Sequence, residues 1–313
     1  MADSARTIDA LFQPERLSLG LGLPLVARGQ RHVDDARQLE YARQADARGF
    51  AALWVRDVPL HHADYPDPVA HLDPWAFLGA LAARTRRIAL ASGAIVLTLR
   101  HPLHVAKGAV SLARLSQGRF VLGLGSGDRP PEYAAFGRQG DQRRELYRRH
   151  WEQLAAALAV PPRVIPDRED EPPVAFELLP RPPAPVPMLA IGSDGQSLDW
   201  IARHAAGWIT YHREPAVQRD RHRLWREAVR RAAPGAFRAF GVAMRVDLLP
   251  RRDAPATPIE LGYRTGMHGL RGILERMRED GTHHVALNLS DGDVPAAEAI
   301  DALADDLLPA LRP

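Results

Sequence analysis

The stretch QGRFVLGLGSGDRPPEYAAFG at residues 117–137 decides how the rest of the chain is interpreted. Its apolar run, Phe120–Leu124, shows no clear polar–apolar alternation, which is typical of a strand buried on both faces. Three glycines follow a G-x-G-x-G spacing at Gly123, Gly125 and Gly127. Because glycine has no Cβ, backbone N–H groups there can approach a bound group closely. The spacing differs from the dinucleotide-binding G-x-G-x-x-G, so the stretch alone predicts either a cofactor contact or an ordinary strand-to-loop turn.

Strands and helices alternate on both sides of this stretch. Eight strands, each followed by a helix, are predicted at 17–25, 50–58, 88–97, the run just described, 188–191, 208–211, 240–248 and 284–289. This alternation implies a parallel α/β sheet, and eight repeats favour a (β/α)8 TIM barrel over an open doubly wound sheet. No shift in composition divides the chain, so one domain over residues 1–313 is predicted.

Three segments fall outside that rhythm. The residues before 17 are predicted to be a polar lead, and residues 250–258 a proline-rich loop. A proline-rich insertion is predicted at about 161–187, with a short strand at 174–178 inside it. Long loops of this kind are often functional lids or simple excursions, and the sequence leaves both open.

Composition excludes several classes of protein. The chain has 41 basic and 38 acidic residues, and Lys107 is the single lysine. The arginines are spread along the sequence, so no nucleic-acid surface is predicted. The absence of cysteine excludes disulfides and thiolate chemistry. No signal-like or membrane-spanning apolar run is present, so a cytoplasmic protein that does not enter a membrane is expected.

In a (β/α)8 barrel, the loops that follow the strands carry the chemistry. The loop at residues 192–197, GSDGQS, combines small residues with free N–H groups at the start of a helix, which favours an anion site. Asp194 opposes a phosphate there unless its carboxylate points away. The alternative is that Ser193 or Ser197 simply caps the helix.

Asp57 and His62, after the second strand, are the candidates for proton transfer or substrate orientation. For His62 the alternative is a solvated pair with His61. No metal site is predicted, because the pair His101 and His104 lacks an evident third ligand.

With these residues assembled, the chain resembles the luciferase-like monooxygenases, a family of flavin-dependent (β/α)8 barrels. The resemblance covers most of the chain from about residue 20. It rests on three stretches, GFAALWVRDVPL (49–60), RHPLHVAKGAVSLARLSQGRFVLGLGSGD (100–128) and AIGSDGQSLDWIARHAAGWITY (190–211).

The resemblance implies an oxidoreductase that uses reduced flavin to activate oxygen, or to pass a hydride, with a small organic substrate. It places the cofactor phosphate at Gly192, Ser193, Gly195 and Ser197, and the flavin edge at Ser126 and Gly127. It also implies a non-prolyl cis peptide within Ser92-Gly93-Ala94, with Gly93 and Ala94 behind the flavin ring. A homodimer, and a separate flavin reductase as partner, are expected on the same ground.

FMN is the expected cofactor and the deazaflavin F420 is the alternative. FMN is favoured because no basic cluster suited to the polyglutamate tail of F420 is evident in the sequence. Two other functions stay open: a non-catalytic flavin-binding barrel, and an unrelated barrel enzyme acting on a phosphorylated metabolite.

Overall fold

A computed structural model of the chain describes residues 3–30, 32–65, 69–166, 176–181, 184–289 and 292–311. Within these ranges the strands in chain order are β1 (Ser18–Leu23), β2 (Ala52–Val55), β3 (Ala89–Ser92), β4 (Ile95–Val96), β5 (Phe120–Gly125), β6 (Met188–Ile191), β7 (Gly207–Tyr211), β8 (Ala239–Leu248), β9 (Thr257–Ile259), β10 (Gly262–Thr265) and β11 (His284–Asn288).

Eight of these strands close into a parallel barrel in the order β1, β2, β3, β5, β6, β7, β8 and β11. The last strand pairs in parallel with both β1 and β8, with Ser18 opposite His284 and His284 opposite Gly241. This closure confirms the (β/α)8 prediction and excludes the open sheet.

The helices lie between the strands and form the outer layer. In chain order they are α1 (Asp3–Leu11), α2 (Asp35–Arg48), α3 (Pro74–Arg84), α4 (Pro102–Leu115), α5 (Pro130–Ala135), α6 (Arg143–Leu158), α7 (Leu198–His204), α8 (Pro215–Ala232), α9 (Met267–Glu279), α10 (Ala296–Asp306) and α11 (Leu308–Leu311). None of those in the described ranges is long and apolar enough to cross a membrane.

Local sequence explains where several helices begin and end. The Asp34 carboxylate accepts the Arg37 N–H at the start of α2, and Gly49 ends that helix with a φ of 86°. At the start of α3, the Asp73 carboxylate accepts the N–H groups of Trp75 and Ala76, and Pro74 occupies the first turn.

Successive residues of each barrel strand point to two different cores. In β1, Leu19, Leu21 and Leu23 pack outward against the helices. The inward residues form a separate cluster of mostly small side chains, such as Ala91 and Val121. Since both faces are buried, the strands lack the polar–apolar alternation of a half-exposed sheet.

The predicted polar lead is wrong, because this segment forms α1 and the residues after it enter the barrel floor. Leu11 and Phe12 are each 1% exposed and belong to the inner cluster. Burial of these two apolar side chains fastens the segment to the barrel, even though its sequence is largely polar.

A buried hydrogen-bond chain runs from the barrel interior to this floor. The Trp54 Nε1–H donates to His284 Nε2 at 2.9 Å, and His284 Nδ1 lies 2.7 Å from Ser18 Oγ. Ser18 Oγ in turn donates to the Leu11 carbonyl at 2.6 Å. Burial lowers the pKa of His284 to about 3, so its imidazole stays neutral and serves as a structural link.

Two other local expectations change. The segment predicted as a proline-rich loop holds β9, and β10 follows it; they form an antiparallel hairpin whose second strand extends the sheet beside β8. In the proline-rich insertion, the predicted strand at 174–178 lies partly outside the described residues, and 176–178 are not strand. Lys107 is exposed, and its ammonium donates to the Leu179 carbonyl.

Candidate cofactor site at the barrel mouth

The inward positions at the carboxyl ends of three strands are glycines. Gly22, Gly93 and Gly125 continue the inward-facing rows of β1, β3 and β5. None of these three residues adds a side chain to the mouth, and the Trp54 ring lies against Gly93, 3.0 Å from the position that a Cβ would occupy there. Backbone atoms are therefore presented at these three positions.

The peptide bond between Gly93 and Ala94 is cis, in the position expected from the resemblance. It separates β3 from the short strand β4 and turns the chain across the mouth. Asp57 supports this turn: its Oδ2 accepts the Val96 N–H at 3.1 Å.

Asp57 is buried and fully engaged. The Arg100 guanidinium donates to both of its carboxylate oxygens, at 2.8 and 2.9 Å, and also to Asp73 at 3.0 Å. The hydrogen bonds that Arg100 donates to Asp57 raise the pKa of Arg100 further above its ordinary value. The geometry therefore gives Asp57 a positioning contact with the chain behind the ring site, and its predicted part in proton transfer stays a prediction.

The loop at residues 192–197, which is predicted to hold the cofactor phosphate and is called the phosphate loop below, is a tight turn. Three of its residues have positive φ: Gly192 at 83°, Asp194 at 52° and Gly195 at 69°. Ser193 and Gly195 are exposed. Ser197 Oγ accepts the Trp200 N–H at 3.2 Å, so this serine caps α7. The capping alternative thus holds for Ser197, whereas the Ser193 hydroxyl is presented to solvent at the mouth.

Asp194 points away from the outer surface of the phosphate loop. Its Oδ1 accepts the Ser126 N–H at 2.6 Å, which joins the phosphate loop to the loop after β5. Its Oδ2 is buried without a hydrogen-bond partner among the described residues. Burial raises the pKa of Asp194 to about 6, while the neighbouring groups of Ser126, Tyr147 and Arg143 oppose that rise.

The loop after β5, which carries Ser126 and Gly127, is held from below. The Ser126 carbonyl accepts hydrogen bonds from Thr98 Oγ1, at 2.6 Å, and from the Tyr133 hydroxyl. Gly127 has a φ of 82°, and a Cβ there would lie 2.9 Å from the Val96 side chain. A larger residue at position 127 would require the backbone or the Val96 side chain to move, so glycine permits this close approach between the two residues.

The first two turns of α6 place three arginines around the phosphate loop. The stem of Arg144 lies over Gly195, 3.3 to 3.5 Å from the position of a Cβ. Arg148 donates to the Gln196 side-chain oxygen at 3.0 and 3.3 Å, and Arg143 is close enough to lower the pKa of Asp194. Sequence reasoning missed this basic cluster, because arginines on a helix look like an ordinary solvated face.

His62 lies in the exposed loop after β2. Its Nδ1 accepts the Asp64 N–H at 3.2 Å, and its ring centroid lies 6.1 Å from that of Tyr65, with the two rings tilted by 53°. His101 caps α4 through Nδ1. The proposed use of His62 in proton transfer stays a prediction. No group of three or more His, Cys, Asp or Glu residues in the described ranges could hold a metal ion.

An ion network lines the opposite side of the mouth. Arg28, from the loop after β1, donates to both oxygens of Asp247 on β8 at 2.9 Å. Arg264 on β10 lies 3.4 Å from Asp247 and 2.7 Å from Asp293, which also pairs with Arg28 at 3.2 Å. No sequence pattern predicts this network, because its members lie far apart along the chain.

Comparison with known proteins agrees with this geometry. The family model for luciferase-like monooxygenases matches residues 18–255, more than half of the chain. The chain belongs to this family. An uncharacterised protein of Mycobacterium tuberculosis is 31% identical over 265 residues, covering 78% of this chain and 89% of that protein.

Members of the family with named activities are also similar to this chain. The F420-dependent hydroxymycolic acid dehydrogenase of Mycobacterium tuberculosis is 30% identical over 213 residues, 64% of this chain and 55% of that enzyme. The crystal structure of the monooxygenase RslO1 from Streptomyces bottropensis superposes with a TM-score of 0.75 at 20% identity, covering 94% of this chain and all of that one. The family thus includes monooxygenases and F420-dependent enzymes, and its members are oxidoreductases.

Proposed function

We propose that this luciferase-like protein is an oxidoreductase that holds FMN at the barrel mouth and acts on a small organic substrate. The observation that carries the proposal is the pairing of a glycine-lined ring site at Gly93–Ala94 with a phosphate loop flanked by arginines. A flat ring and a phosphate are the two parts of FMN that need different surroundings.

The residues present fit such a cofactor. Gly22, Gly93 and Gly125 add no side chains to the proposed ring space, and Ser193 and Gly195 are exposed on the phosphate loop. Arg144 adds a positive charge beside it. Asp194, the residue that would repel a phosphate, is turned inward to Ser126.

Bound flavin would supply the electrons for oxygen activation or hydride transfer. The protein's part is to orient the ring on the Gly93–Ala94 peptide and to exclude water from its buried face. Asp57 and Arg100 keep that peptide in place from behind. Residues of the loop after β2, His62 among them, are the proposed source of any proton for the substrate.

F420 is the second candidate, and one observation favours it. FMN was preferred because the sequence shows no basic cluster, but the structure gathers Arg143, Arg144 and Arg148 beside the phosphate loop. Such a cluster also suits an anionic tail that continues beyond the phosphate. The F420-dependent relative supports this candidate as well.

The proposal is tested by titrating the purified protein with FMN, riboflavin and F420 while following fluorescence quenching. Wild type is expected to bind FMN with a micromolar Kd and riboflavin at least ten times more weakly. Ser193→Asp should lose most of the FMN affinity, because a second carboxylate on the outer face of the loop repels the phosphate. Ser111→Asp, on α4 in the outer layer, is the matched control and should bind FMN as wild type does.

The competing functions predict different results. Tight F420 binding with weak FMN binding would replace the first cofactor by the second. Binding of neither would overturn the proposal in favour of a barrel acting on a phosphorylated metabolite. Oxygen consumption by reduced flavin in the presence of the protein separates a monooxygenase from a flavin-binding protein without turnover.

A further inference from the structure

The backbone conformation of Asp194 and the burial of its carboxylate are unusual for a loop residue. It lies at a positive φ of 52° in the middle of the phosphate loop, between Ser193 and Gly195. Such a φ is uncommon for a residue other than glycine, although aspartate tolerates it better than most. One carboxylate oxygen takes the Ser126 N–H and the other is buried with no hydrogen bond from a described residue.

An ionised carboxylate with an unpaired buried oxygen is unfavourable, since burial penalises the charged form. The groups around Asp194 only partly offset this penalty. Arg143 and Tyr147 face it from α6, and Ser126 faces it from the loop after β5. The Tyr147 hydroxyl is near enough to lower the pKa of Asp194, but it donates its single proton to the Leu124 carbonyl at 3.2 Å and so leaves Oδ2 without a donor. Tyr133 on α5 is a further titratable neighbour.

The position of Asp194 also connects two parts of the proposed cofactor site. Ser126 belongs to the loop assigned to the flavin edge, and Asp194 belongs to the loop assigned to the phosphate. Their 2.6 Å hydrogen bond is therefore a direct link between the two loops. Ser193 and Gly195 are the chain neighbours of Asp194. A phosphate bound to them would therefore bring a second negative charge close to the Asp194 carboxyl.

We propose that Asp194 is a positioning residue that couples the two cofactor loops and takes up a proton from solvent when a phosphate group occupies the phosphate loop. This inference rests on the proposed function, because it requires a phosphorylated cofactor. The proton goes to the unpaired Oδ2, while Oδ1 keeps the Ser126 N–H. Binding then becomes weaker as pH rises, since the proton is harder to obtain.

The test compares wild type with Asp194→Asn, which keeps an oxygen for the Ser126 N–H but cannot take up the proton. Calorimetric titrations with FMN at pH 7, in two buffers of different ionisation enthalpy, measure proton uptake. The phosphate of FMN titrates near pH 6 itself, but equally in both proteins, so the difference between them reports Asp194. Asp128→Asn, an exposed carboxylate next to Gly127, is the matched control.

Wild type and Asp128→Asn should each take up about half a proton or more beyond Asp194→Asn. Between pH 6 and pH 8, their FMN affinity should fall about five- to tenfold more than that of Asp194→Asn. Riboflavin, which lacks the phosphate, should show no such difference. Equal proton uptake and equal pH dependence in all three proteins would overturn the inference and leave the proposed function standing.

A second measurement needs no variant. In wild type labelled with ¹³C at the aspartate carboxyl, one buried resonance should move towards its protonated position when FMN is added at pH 7. If FMN binds and no aspartate signal moves, the inference is wrong. If wild type binds neither FMN nor F420, both the inference and the proposed function fail.

Discussion

The two ends of the barrel are built from opposite kinds of contact. At the floor, Leu11 and Phe12 fill the barrel and the chain from Trp54 through His284 to Ser18 is wholly buried. At the mouth, glycines leave the centre open and arginine–carboxylate pairs surround it. The floor is thus a packed apolar plug with neutral hydrogen bonds, whereas the mouth is open and charged.

This difference shows how the fold separates stability from chemistry. In barrels of this class the N-terminal end of the strands supports the fold and the carboxyl end carries the site. Substitutions at the floor should change the free energy of unfolding without changing cofactor affinity. Substitutions at the mouth should do the reverse.

The largest effect is expected for Phe12→Ala at the floor. Removing a fully buried aromatic side chain leaves a cavity and should cost about 3–5 kcal/mol in the free energy of unfolding. Urea denaturation measures this loss, and FMN titration of the folded variant should give a Kd within about twofold of wild type. A large loss of FMN affinity in folded Phe12→Ala would show that floor and mouth are not independent.

A matched pair of glycines on β1 sharpens the comparison. A Cβ at Gly20 would lie 2.8 to 2.9 Å from Trp54 Nε1, the Ala52 carbonyl and His284 Nε2, whereas a Cβ at Gly22 would meet nothing closer than 3.5 Å. Gly20→Ala should therefore lower the free energy of unfolding by about 2 kcal/mol through overpacking.

Gly22→Ala should remain within about 0.5 kcal/mol of wild-type stability. It should instead weaken FMN binding, because the new methyl group enters the ring space. The free energy of unfolding and the FMN affinity of both variants come from the same series of denaturations and titrations. An equal loss of stability in both variants would contradict the assignment of Gly22 to the open part of the barrel.

Acidic pH should destabilise the floor of the barrel. The pKa of His284 is about 3 in the folded protein and near 6.5 when unfolded, so below pH 6.5 the unfolded chain binds a proton that the folded chain does not. Stability from this residue is therefore complete above pH 6.5 and falls by about 2 kcal/mol between pH 6.5 and pH 5. His283, with a pKa lowered to about 4 by burial, acts in the same direction.

Asp194 at the mouth contributes to the pH dependence of stability with the opposite sign. Its pKa is raised to about 6, so the folded protein binds the additional proton and gains stability as pH falls from 6 towards 4. Denaturation at pH 7.5 and pH 5 measures the sum of these terms. His284→Gln should flatten the loss at acid pH, and Asp194→Asn should steepen it.

The smallest effect is expected in the ion network of the mouth. Arg264→Gln leaves Asp247 and Asp293 paired with Arg28, so the loss should be below about 1 kcal/mol and should shrink in 1 M salt. The same salt should not reduce the cost of Phe12→Ala. A salt-independent loss in Arg264→Gln would show that packing, not charge, holds this side of the mouth.

The sequence predicted the barrel well because its signals are local. The caps at Asp73 and Gly49 depend only on neighbouring residues, and the cis peptide at Gly93–Ala94 lies where the resemblance implies it. By contrast, α1 was missed because the surface it covers is made by strands far away in the chain. No local pattern distinguishes such a helix from a polar lead.

The site was less predictable for the same reason. The orientation of Asp194 depends on Ser126, 68 residues earlier, and the arginine cluster depends on how α6 packs against the phosphate loop. The sequence predicted the phosphate loop and also the repulsion between the Asp194 carboxylate and a phosphate bound there. Only the tertiary contact shows that the carboxylate turns inward.

The contact between Ser18 and His284 has a consequence for synthesis of the chain. These residues are 266 positions apart, and they join the first barrel strand to the last. While the ribosome is still making the middle of the protein, β1 has no partner on one side, and its unpaired N–H and C=O groups form an edge that can recruit other chains. Closure must wait for β11, so we expect the nascent protein to depend on chaperone protection until its last tenth has emerged.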